Sequence, residues 1–288
     1  MNLCNRRRRS AFTVVELLIC CAVISLLIGV ALPAVSRSRE AARRLECAHR
    51  LRQIGVALAI HHDVRGGLPA GWMPDPTRES AFGWCLQLLP FMENAALFAA
   101  ADPSRPIGDE AHADIRQTSL AWTICPSDVQ EPCFELYEEI GQHALGGQRS
   151  DRVLTRLASA NYVAVFGTHA PDDAPGASGD GAFIEGRSVR FAELERGLSN
   201  TLLVGERTAD KLPSTWIGFA ARGEDAAARV AGCAFVGPNR EDADESEFAS
   251  RHPGCAQFLW ADGRVEPIFD AVDSFLYRCQ AKRGQDAR

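Results

Sequence analysis

The stretch AFTVVELLICCAVISLLIGVALPAV, residues 11–35, decides how the rest of this 288-residue chain is organised. From Leu17 to Leu32 it carries no charged side chain, and nearly all of its residues are Leu, Ile, Val, Ala or Cys. That run alone is slightly short, because a helix needs about 20 apolar residues to cross a bilayer. Extending the run to residues 12–35 reaches the required length and takes in one carboxylate, Glu16. The stretch therefore predicts a membrane-spanning helix with an acid near its start.

Three interpretations of this stretch compete. A secretory signal peptide needs a small-residue cleavage site, and the best candidate, before Val35, puts Leu32 at a position that needs a small side chain. A plain signal anchor explains the apolar run but gives Glu16 no role. A carboxylate at the centre of a membrane helix costs about 2.5–3.5 kcal/mol on insertion scales, so the acid needs an explanation.

The third interpretation rests on residues 11–16, Ala-Phe-Thr-Val-Val-Glu. They resemble the Gly-Phe-Thr-Leu-x-Glu box of type IV pilins and pseudopilins, with Ala11 in place of the usual Gly. The resemblance implies that a prepilin peptidase cleaves between Ala11 and Phe12 on the cytoplasmic side and methylates the new amino group of Phe12. It also implies that Glu16 pairs with the ammonium of a neighbouring subunit and sets the register of assembly, because paired charges offset part of each other's desolvation.

The distribution of charge predicts the topology and the partners. Four arginines at 6–9 precede the apolar run, which favours a cytoplasmic amino terminus and an extracytoplasmic body on a single pass through the inner (cytoplasmic) membrane. The formal net charge is −6 although residues 6–9 and 37–52 are rich in arginine, so the remainder of the chain is strongly acidic. An acidic body argues against a nucleic-acid partner. The expected partners are membrane lipid, prepilin peptidase and other pilin-like subunits. A pilus-like filament is one arrangement that such subunits could form.

The helix is predicted to continue past Val35 to about Val64. Apolar residues recur there at spacings of three and four, which is typical of an amphipathic helix: Leu45, Ala48, Leu51, Ile54 and Leu58. Pro33 is predicted to kink the helix rather than end it. The apolar stripe needs a surface to cover it. The predicted fold class is therefore α+β, with a long amino-terminal helix packed on a β-rich, pilin-like body.

Short strands broken by turns are predicted for the rest of the chain. The strands are expected at 122–128, 161–167 and 201–206, with a hairpin at 257–265 around Asp262-Gly263, and a strand or helical segment at 84–91 followed by a short helix at 93–98. The predicted organisation has four parts: a leader at 1–11, the membrane half of the helix at 12–35, its extracytoplasmic half at 36–66 and the body at 67–288.

The order of several short segments makes the resemblance more specific. After the helix end HHDVRGGLPAG come LLPFMEN, CPSD, NYV, LSNTLLVGE and His252-x9-Asp262-Gly263. Together they resemble a large bacterial family with a prepilin-type cleavage and methylation domain, a body of unassigned function that is sometimes labelled solute-binding, and a processing-associated carboxy-terminal segment. The resemblance implies no enzymatic activity.

The absence of common catalytic motifs from the sequence favours a protein that is not an enzyme. The sequence holds no nucleophile elbow, Walker loop, His-Glu-x-x-His or Cys-x-x-Cys motif. His252 and Asp262 could act as a base and its orienting group, but no nucleophile is placed near them. The acidic loop 241–247 could hold calcium, yet it lacks the spaced EF-hand pattern, and a solvated surface is the favoured interpretation. No cofactor is expected.

Seven cysteines are predicted to lie outside the membrane: Cys47, Cys85, Cys125, Cys133, Cys233, Cys255 and Cys279. Disulfides are allowed in that compartment, and an odd count leaves at least one thiol free or intermolecular. Cys125 and Cys133 flank a turn-rich stretch and are the first candidate pair. Zinc binding by the same cysteines is an alternative, although their spacings fit no standard zinc site.

The sequence thus predicts a membrane-anchored, pseudopilin-like structural subunit of a type II secretion or type IV pilus-like assembly. The alternative is an anchored extracytoplasmic protein that binds a solute or polymer and uses the pilin pathway only for export. The two hypotheses differ in whether subunits stack through their helices.

Overall fold

A computed structural model of the protein describes residues 14–140, 148–172 and 176–284. The chain divides into two compact units, residues 1–42 and 43–288. The predicted cleavage site, Ala11 and Phe12, lies outside the described residues. The division falls beyond the predicted end of the membrane half at Val35, inside the long helix.

Helix α1, Val14–Arg65, is 52 residues long and supplies all the described residues of the first unit. No residue of its most apolar 18-residue window is buried, and the helix is long and apolar enough to cross a membrane. Glu16 lies in its first turn. Pro33 lies inside the helix and does not end it; the kink at that position stays a prediction.

The second unit contains the carboxy-terminal part of α1, whose buried residues recur every three or four positions: Cys47, Ala48, Leu51, Ile54, Ala57, Leu58 and His61. This confirms the predicted stripe except at Leu45, which is 68% exposed. Six residues turn an α-helix by about 240°, so Leu45 lies well around the helix from Leu51. The helix ends at Arg65, and the next residue, Gly66, has a φ of 82° and donates its amide to the His62 carbonyl at 2.8 Å.

Within the described residues, α1 is followed by eleven strands: β1 (Trp72–Pro74), β2 (Ser80–Gly83), β3 (Cys133–Ile140), β4 (Gln148–Ala160), β5 (Tyr162–Gly167), β6 (Leu202–Glu206), β7 (Ser214–Thr215), β8 (Gly218–Ala220), β9 (Ala231–Cys233), β10 (Cys255–Trp260) and β11 (Val265–Phe269). They form a five-stranded sheet in the order β11-β10-β6-β5-β9 and two three-stranded sheets, β1-β2-β8 and β3-β4-β7. All these pairs are antiparallel except β5 with β9. Three short helices complete the unit: α2 (Ala95–Ala100), α3 (Ala113–Gln117) and α4 (Ser274–Ala281).

Helix α1 packs close to strand β10 of the five-stranded sheet in the main hydrophobic core. Leu51, Ile54 and Leu58 share this core with Leu259 of β10. A Cβ atom added at Gly55 would lie 2.8 Å from Leu259 Cδ1, so the absence of a side chain at this position permits the close approach. The predicted α+β class, a long apolar helix with a β-rich body, is confirmed.

The predicted strands at 161–167 and 201–206 are confirmed as β5 and β6, and the predicted hairpin as β10 and β11. The segment 84–91 is a 3-10 helix. The strand predicted at 122–128 is wrong, because Ala121–Thr123 is a 3-10 turn and the residues after it join no sheet. The reason is Asn161, whose side-chain oxygen accepts the Cys125 amide at 2.7 Å and takes the place of a neighbouring strand.

Candidate functional site

Four chemically active side chains from distant parts of the sequence meet inside the second unit. Cys47 comes from α1, Cys125 from the turn after Ala121–Thr123, Glu206 from the end of β6 and His252 from the loop before β10. Each offers one sulfur, nitrogen or oxygen atom, and these atoms all lie within 4.8 Å of one another. All four residues are buried. We call them the Cys-Glu-His cluster.

The contacts within the cluster are direct. Cys47 Sγ lies 2.9 Å from Cys125 Sγ, and Cys125 Sγ lies 3.7 Å from His252 Nε2. The same imidazole nitrogen lies 3.5 Å from Glu206 Oε1. The side chains of His252 and Glu206 are 0% and 2% exposed, so solvent does not screen this contact.

Hydrogen bonds from neighbouring residues fix the carboxylate of Glu206. Its Oε2 atom accepts the Ser250 hydroxyl at 2.8 Å and the Gln257 amide at 2.9 Å. The Ser250 hydroxyl also accepts the His252 amide at 3.2 Å. The other carboxylate oxygen, Oε1, is buried and has no hydrogen-bond donor within the part of the chain that the structure describes. A buried acceptor without a donor is costly, so this oxygen is an unusual feature of the cluster.

Asn161 holds the backbone of Cys125. Besides accepting the Cys125 amide, its side chain donates to Asp128 Oδ2 at 2.7 Å and to the Arg207 carbonyl at 3.0 Å. The turn that carries Cys125 is thereby tied to the residue that follows Glu206. One buried amide side chain thus holds two members of the cluster in position.

The two thiols of the cluster have unequal acidities. The hydrogen bond that Cys47 shares with Cys125 lowers the pKa of Cys125, and the hydrogen bond with His252 acts in the same direction. The same bond between the thiols raises the pKa of Cys47, and burial raises it further. Burial also raises the pKa of the neighbouring Tyr162. Cys125 is therefore the thiol of this pair that loses its proton more readily.

The predicted pairing of Cys125 with Cys133 is corrected by the structure. Cys133 lies on β3, where its Sγ atom contacts the Gln117 carbonyl at 3.4 Å, and both cysteines are free thiols. The thiol beside Cys125 belongs to Cys47 instead. Short spacing in the sequence favoured Cys133, whereas the packing of α1 on the body brings Cys47 into contact.

His252 and Asp262 have separate surroundings. His252 Nε2 faces Cys125 and Glu206, whereas Asp262 lies in the β10-β11 turn, where its Oδ1 accepts the Arg264 amide at 3.1 Å. Gly263, with φ of 87°, supplies the left-handed conformation of that turn. The arrangement of a base with Asp262 as its orienting group is therefore not formed.

The acidic loop 241–247 is only partly a solvated surface. Asp242 is exposed and pairs with Arg240, as expected of surface charge. Glu247 is 1% exposed, and its two carboxylate oxygens accept the amides of Val236 at 2.9 Å and Gly237 at 3.2 Å. For Glu247 the interpretation as solvated surface is wrong, because it caps buried backbone donors.

Sequence reasoning missed Cys47 and Glu206 as members of a site. Three of the four cluster residues lie in segments that carried the family resemblance: Cys125 in CPSD, Glu206 in LSNTLLVGE and His252 in the carboxy-terminal motif. Asn161 and Tyr162, which lie beside the cluster, belong to the NYV segment. These segments meet around the cluster, so their presence in the sequence was a signal that could have located the site. Cys47 lies in none of them.

Comparisons with known proteins match two ranges of the chain. Residues 36–274 match a family described as a protein of unknown function, DUF1559. The chain belongs to the DUF1559 family. All four residues of the Cys-Glu-His cluster in this DUF1559 protein lie within the matched range. No match was found among curated proteins or solved structures.

A second match covers residues 6–32 of this DUF1559 protein and is described as the prokaryotic N-terminal methylation motif. The matched range contains Ala11, Phe12 and Glu16, and it overlaps the apolar part of α1. The motif identifies the chain as a pilin-like protein that prepilin peptidase processes. With the apolar helix, it makes this DUF1559 protein a membrane-anchored one.

Proposed function

We propose that this protein is a pseudopilin-like structural subunit of a type II secretion or type IV pilus-like assembly in the inner membrane. Subunits associate through the membrane half of α1, with the amino terminus in the cytoplasm and the body outside. The observation that carries the proposal is the position of Glu16, a carboxylate in the first turn of an exposed apolar helix and inside the methylation motif.

The surface of this helix supports association as well as anchoring. Large apolar side chains on every side of it are at least half exposed, including Leu18, Ile24, Leu26 and Val30. A helix that is apolar all round belongs in lipid or against other apolar helices. Lipid alone covers the apolar side chains but leaves the carboxylate of Glu16 in an unfavourable medium. A neighbouring subunit meets both needs, because its apolar helix covers these side chains and its cationic amino terminus pairs with the carboxylate.

The first prediction concerns processing. Protein isolated from membranes is expected to begin at N-methyl-Phe12, because the cleavage site lies between Ala11 and Phe12. Intact-mass measurement and sequencing of the terminal peptide test this. Replacing Phe12 with Asp supplies a control that should keep the leader. A mature terminus near Val35, or an intact Met1, contradicts the proposal.

The second prediction concerns association and separates the proposal from the export-only alternative. Single cysteines are placed along residues 17–32 in a Cys20→Ser, Cys21→Ser background, since both native thiols are exposed on α1. Oxidation in native membranes is expected to crosslink subunits at positions that recur every three or four residues, as on one face of a helix. The background without a cysteine in this region measures crosslinking through the body.

Equal, weak crosslinking at every position would contradict a specific interface between helices. That result favours an anchored monomer that binds a solute or polymer outside the cell. Processing at Phe12 would be the same in both cases, so the first prediction tests the pilin pathway and the second tests assembly.

A further inference from the structure

We propose that Cys47, Cys125, Glu206 and His252 form a structural binding site for a divalent transition metal of the zinc type. The proposal is independent of assembly, because the four residues belong to one compact unit of one chain. It goes beyond the family match, which assigns no ligand to the body.

The donor set has the chemistry that zinc selects. Thiolate sulfur, imidazole nitrogen and carboxylate oxygen are its usual protein ligands, and structural zinc sites are tetrahedral with four of them. The cluster offers two sulfurs, one nitrogen and one oxygen. All four residues of the cluster are buried. Burial of every ligand is typical of a structural zinc site, whereas a catalytic site keeps one coordination position open.

Two of the three interatomic distances within the cluster match the edges of such a tetrahedron. With metal–ligand bonds of about 2.0–2.3 Å, sulfur and nitrogen ligands lie about 3.6 Å apart, and nitrogen and oxygen ligands about 3.4 Å apart. The corresponding distances here are 3.7 Å from Cys125 Sγ to His252 Nε2 and 3.5 Å from His252 Nε2 to Glu206 Oε1. The imidazole of His252 therefore already lies at ligand spacing from both Cys125 and Glu206.

The two sulfurs lie closer together than two thiolates on one zinc ion. Their separation of 2.9 Å falls between about 2.05 Å in a disulfide and about 3.8 Å in a tetrahedral site. Metal binding therefore requires the sulfur of Cys47 or Cys125 to move by somewhat under about 1 Å, a shift that rotation of one side chain can supply.

The carboxylate of Glu206 favours a metal at this site over a disulfide between Cys47 and Cys125. A disulfide uses Cys47 and Cys125 alone and leaves Glu206 Oε1 as it is, with the His252 imidazole at 3.5 Å and no hydrogen-bond donor among the described residues. A cation between the four groups provides that oxygen with a partner. The other oxygen of Glu206 is held by Ser250 and Gln257, and such outer hydrogen bonds commonly orient a carboxylate that ligates a metal.

A metal at this site would fasten α1 to the body. Its ligands come from α1, a turn, the end of β6 and the loop before β10, so one ion would join four segments that are far apart in sequence. Structural zinc contributes directly to the free energy of folding, and both thiols release protons when it binds. Binding should therefore weaken as the pH falls.

The experiment uses the full chain, purified in detergent. We expect about one equivalent of zinc per chain by elemental mass spectrometry, the stoichiometry of a single four-ligand site. Cobalt added to the reduced, metal-free protein should give thiolate-to-metal charge-transfer bands and the intense visible bands of tetrahedral Co²⁺. A chelator should lower the melting temperature of the wild type. Because these measurements need no substitution, they do not depend on whether a variant folds.

Three variants sharpen the test. Cys47→Ser removes one of the two sulfur ligands, so it should weaken the cobalt charge-transfer bands by about half or more and reduce the effect of chelator on the melting temperature. Ser250→Ala keeps all four ligands and removes one hydrogen bond to Glu206, so metal affinity should fall about 10–100-fold. Cys233→Ser is the matched control, since Cys233 is also buried but lies beside Ser246 at 3.3 Å, outside the cluster. It should bind metal like the wild type.

Two results would overturn the proposal. One is reduced, folded protein that binds neither zinc nor cobalt at micromolar concentration. The other is a peptide map of protein taken from the envelope in which Cys47 and Cys125 are joined by a disulfide. Either result leaves the proposed function untouched, because assembly is tested at the membrane half of α1.

Discussion

Glu16→Gln is expected to give anchored, processed protein that no longer assembles with other subunits. The substitution keeps the size of the side chain and part of its hydrogen bonding but removes its charge. Insertion should become easier, since a charged acid in a membrane helix is costly. Cleavage should continue, because the cut bond lies between Ala11 and Phe12.

The loss of assembly follows from the charge that remains. In a stack of subunits the ammonium of Phe12 would lose its counter-ion inside the membrane. Leaving one charge of a buried pair alone costs roughly 3–5 kcal/mol, which weakens association by about several hundred-fold or more. A monomer would feel no such loss between subunits, since its own amino group can reach the cytoplasmic interface.

Crosslinking between cysteines in the 17–32 region measures this effect directly. Glu40→Gln is a matched control, because it neutralises a carboxylate on the same helix beyond the apolar stretch. It should crosslink like the wild type. Unchanged crosslinking in Glu16→Gln would instead support the alternative in which the pilin pathway serves export only.

The long helix could be predicted because its signals are local. An uninterrupted apolar run fixes the membrane half, and the spacing of Leu51, Ile54 and Leu58 fixes the buried stripe of the outer half. The prediction fails at Leu45. Two successive steps of three residues, from Leu45 to Ala48 and on to Leu51, each fall short of a full turn and place Leu45 on a different face of the helix. Local patterns of this kind also located β5, β6 and the β10-β11 hairpin.

The Cys-Glu-His cluster could not be predicted in the same way, because its contacts are long-range. Cys47 and Cys125 are 78 positions apart, and Cys125 and His252 are 127 positions apart. Which thiol meets Cys125 depends on how α1 packs over the five-stranded sheet, and spacing along the chain carries no information on that. The wrong prediction of a strand at 122–128 has the same cause. The backbone amide of Cys125 donates to the side chain of Asn161, which is distant in the sequence, instead of to a neighbouring strand.

Arg207→Met is expected to destabilise the body by about 3 kcal/mol or more. Arg207 is 1% exposed, and its guanidinium donates to the Ser214 hydroxyl and to the carbonyls of Ala231, Ser246 and Ala228. Burial lowers the pKa of Arg207 to about 9, with the nearby charge of Arg229 acting in the same direction, so the group stays protonated at neutral pH.

Methionine fills much of the same volume but donates no hydrogen bond. The Ser246 carbonyl keeps the Cys233 amide as a donor at 3.2 Å, whereas the other acceptors lose the guanidinium. Each buried acceptor left without a donor costs about 1–3 kcal/mol, partly offset because a buried charge is also removed. For a unit of this size, 3 kcal/mol corresponds to a fall in melting temperature of roughly 6–12 °C.

Thermal unfolding of the full chain in detergent tests this expectation, with Arg240→Met as the matched control. Arg240 is about half exposed and pairs with Asp242 among the contacts that the described residues show, so its loss should leave the melting temperature within about 2 °C of the wild type. Arg207 directly follows Glu206 and its carbonyl accepts from Asn161, so the variant should also loosen the Cys-Glu-His cluster. A melting temperature within about 2 °C of the wild type would mean that the carbonyls around Arg207 find other donors, and that this buried cation does not hold the strand ends together.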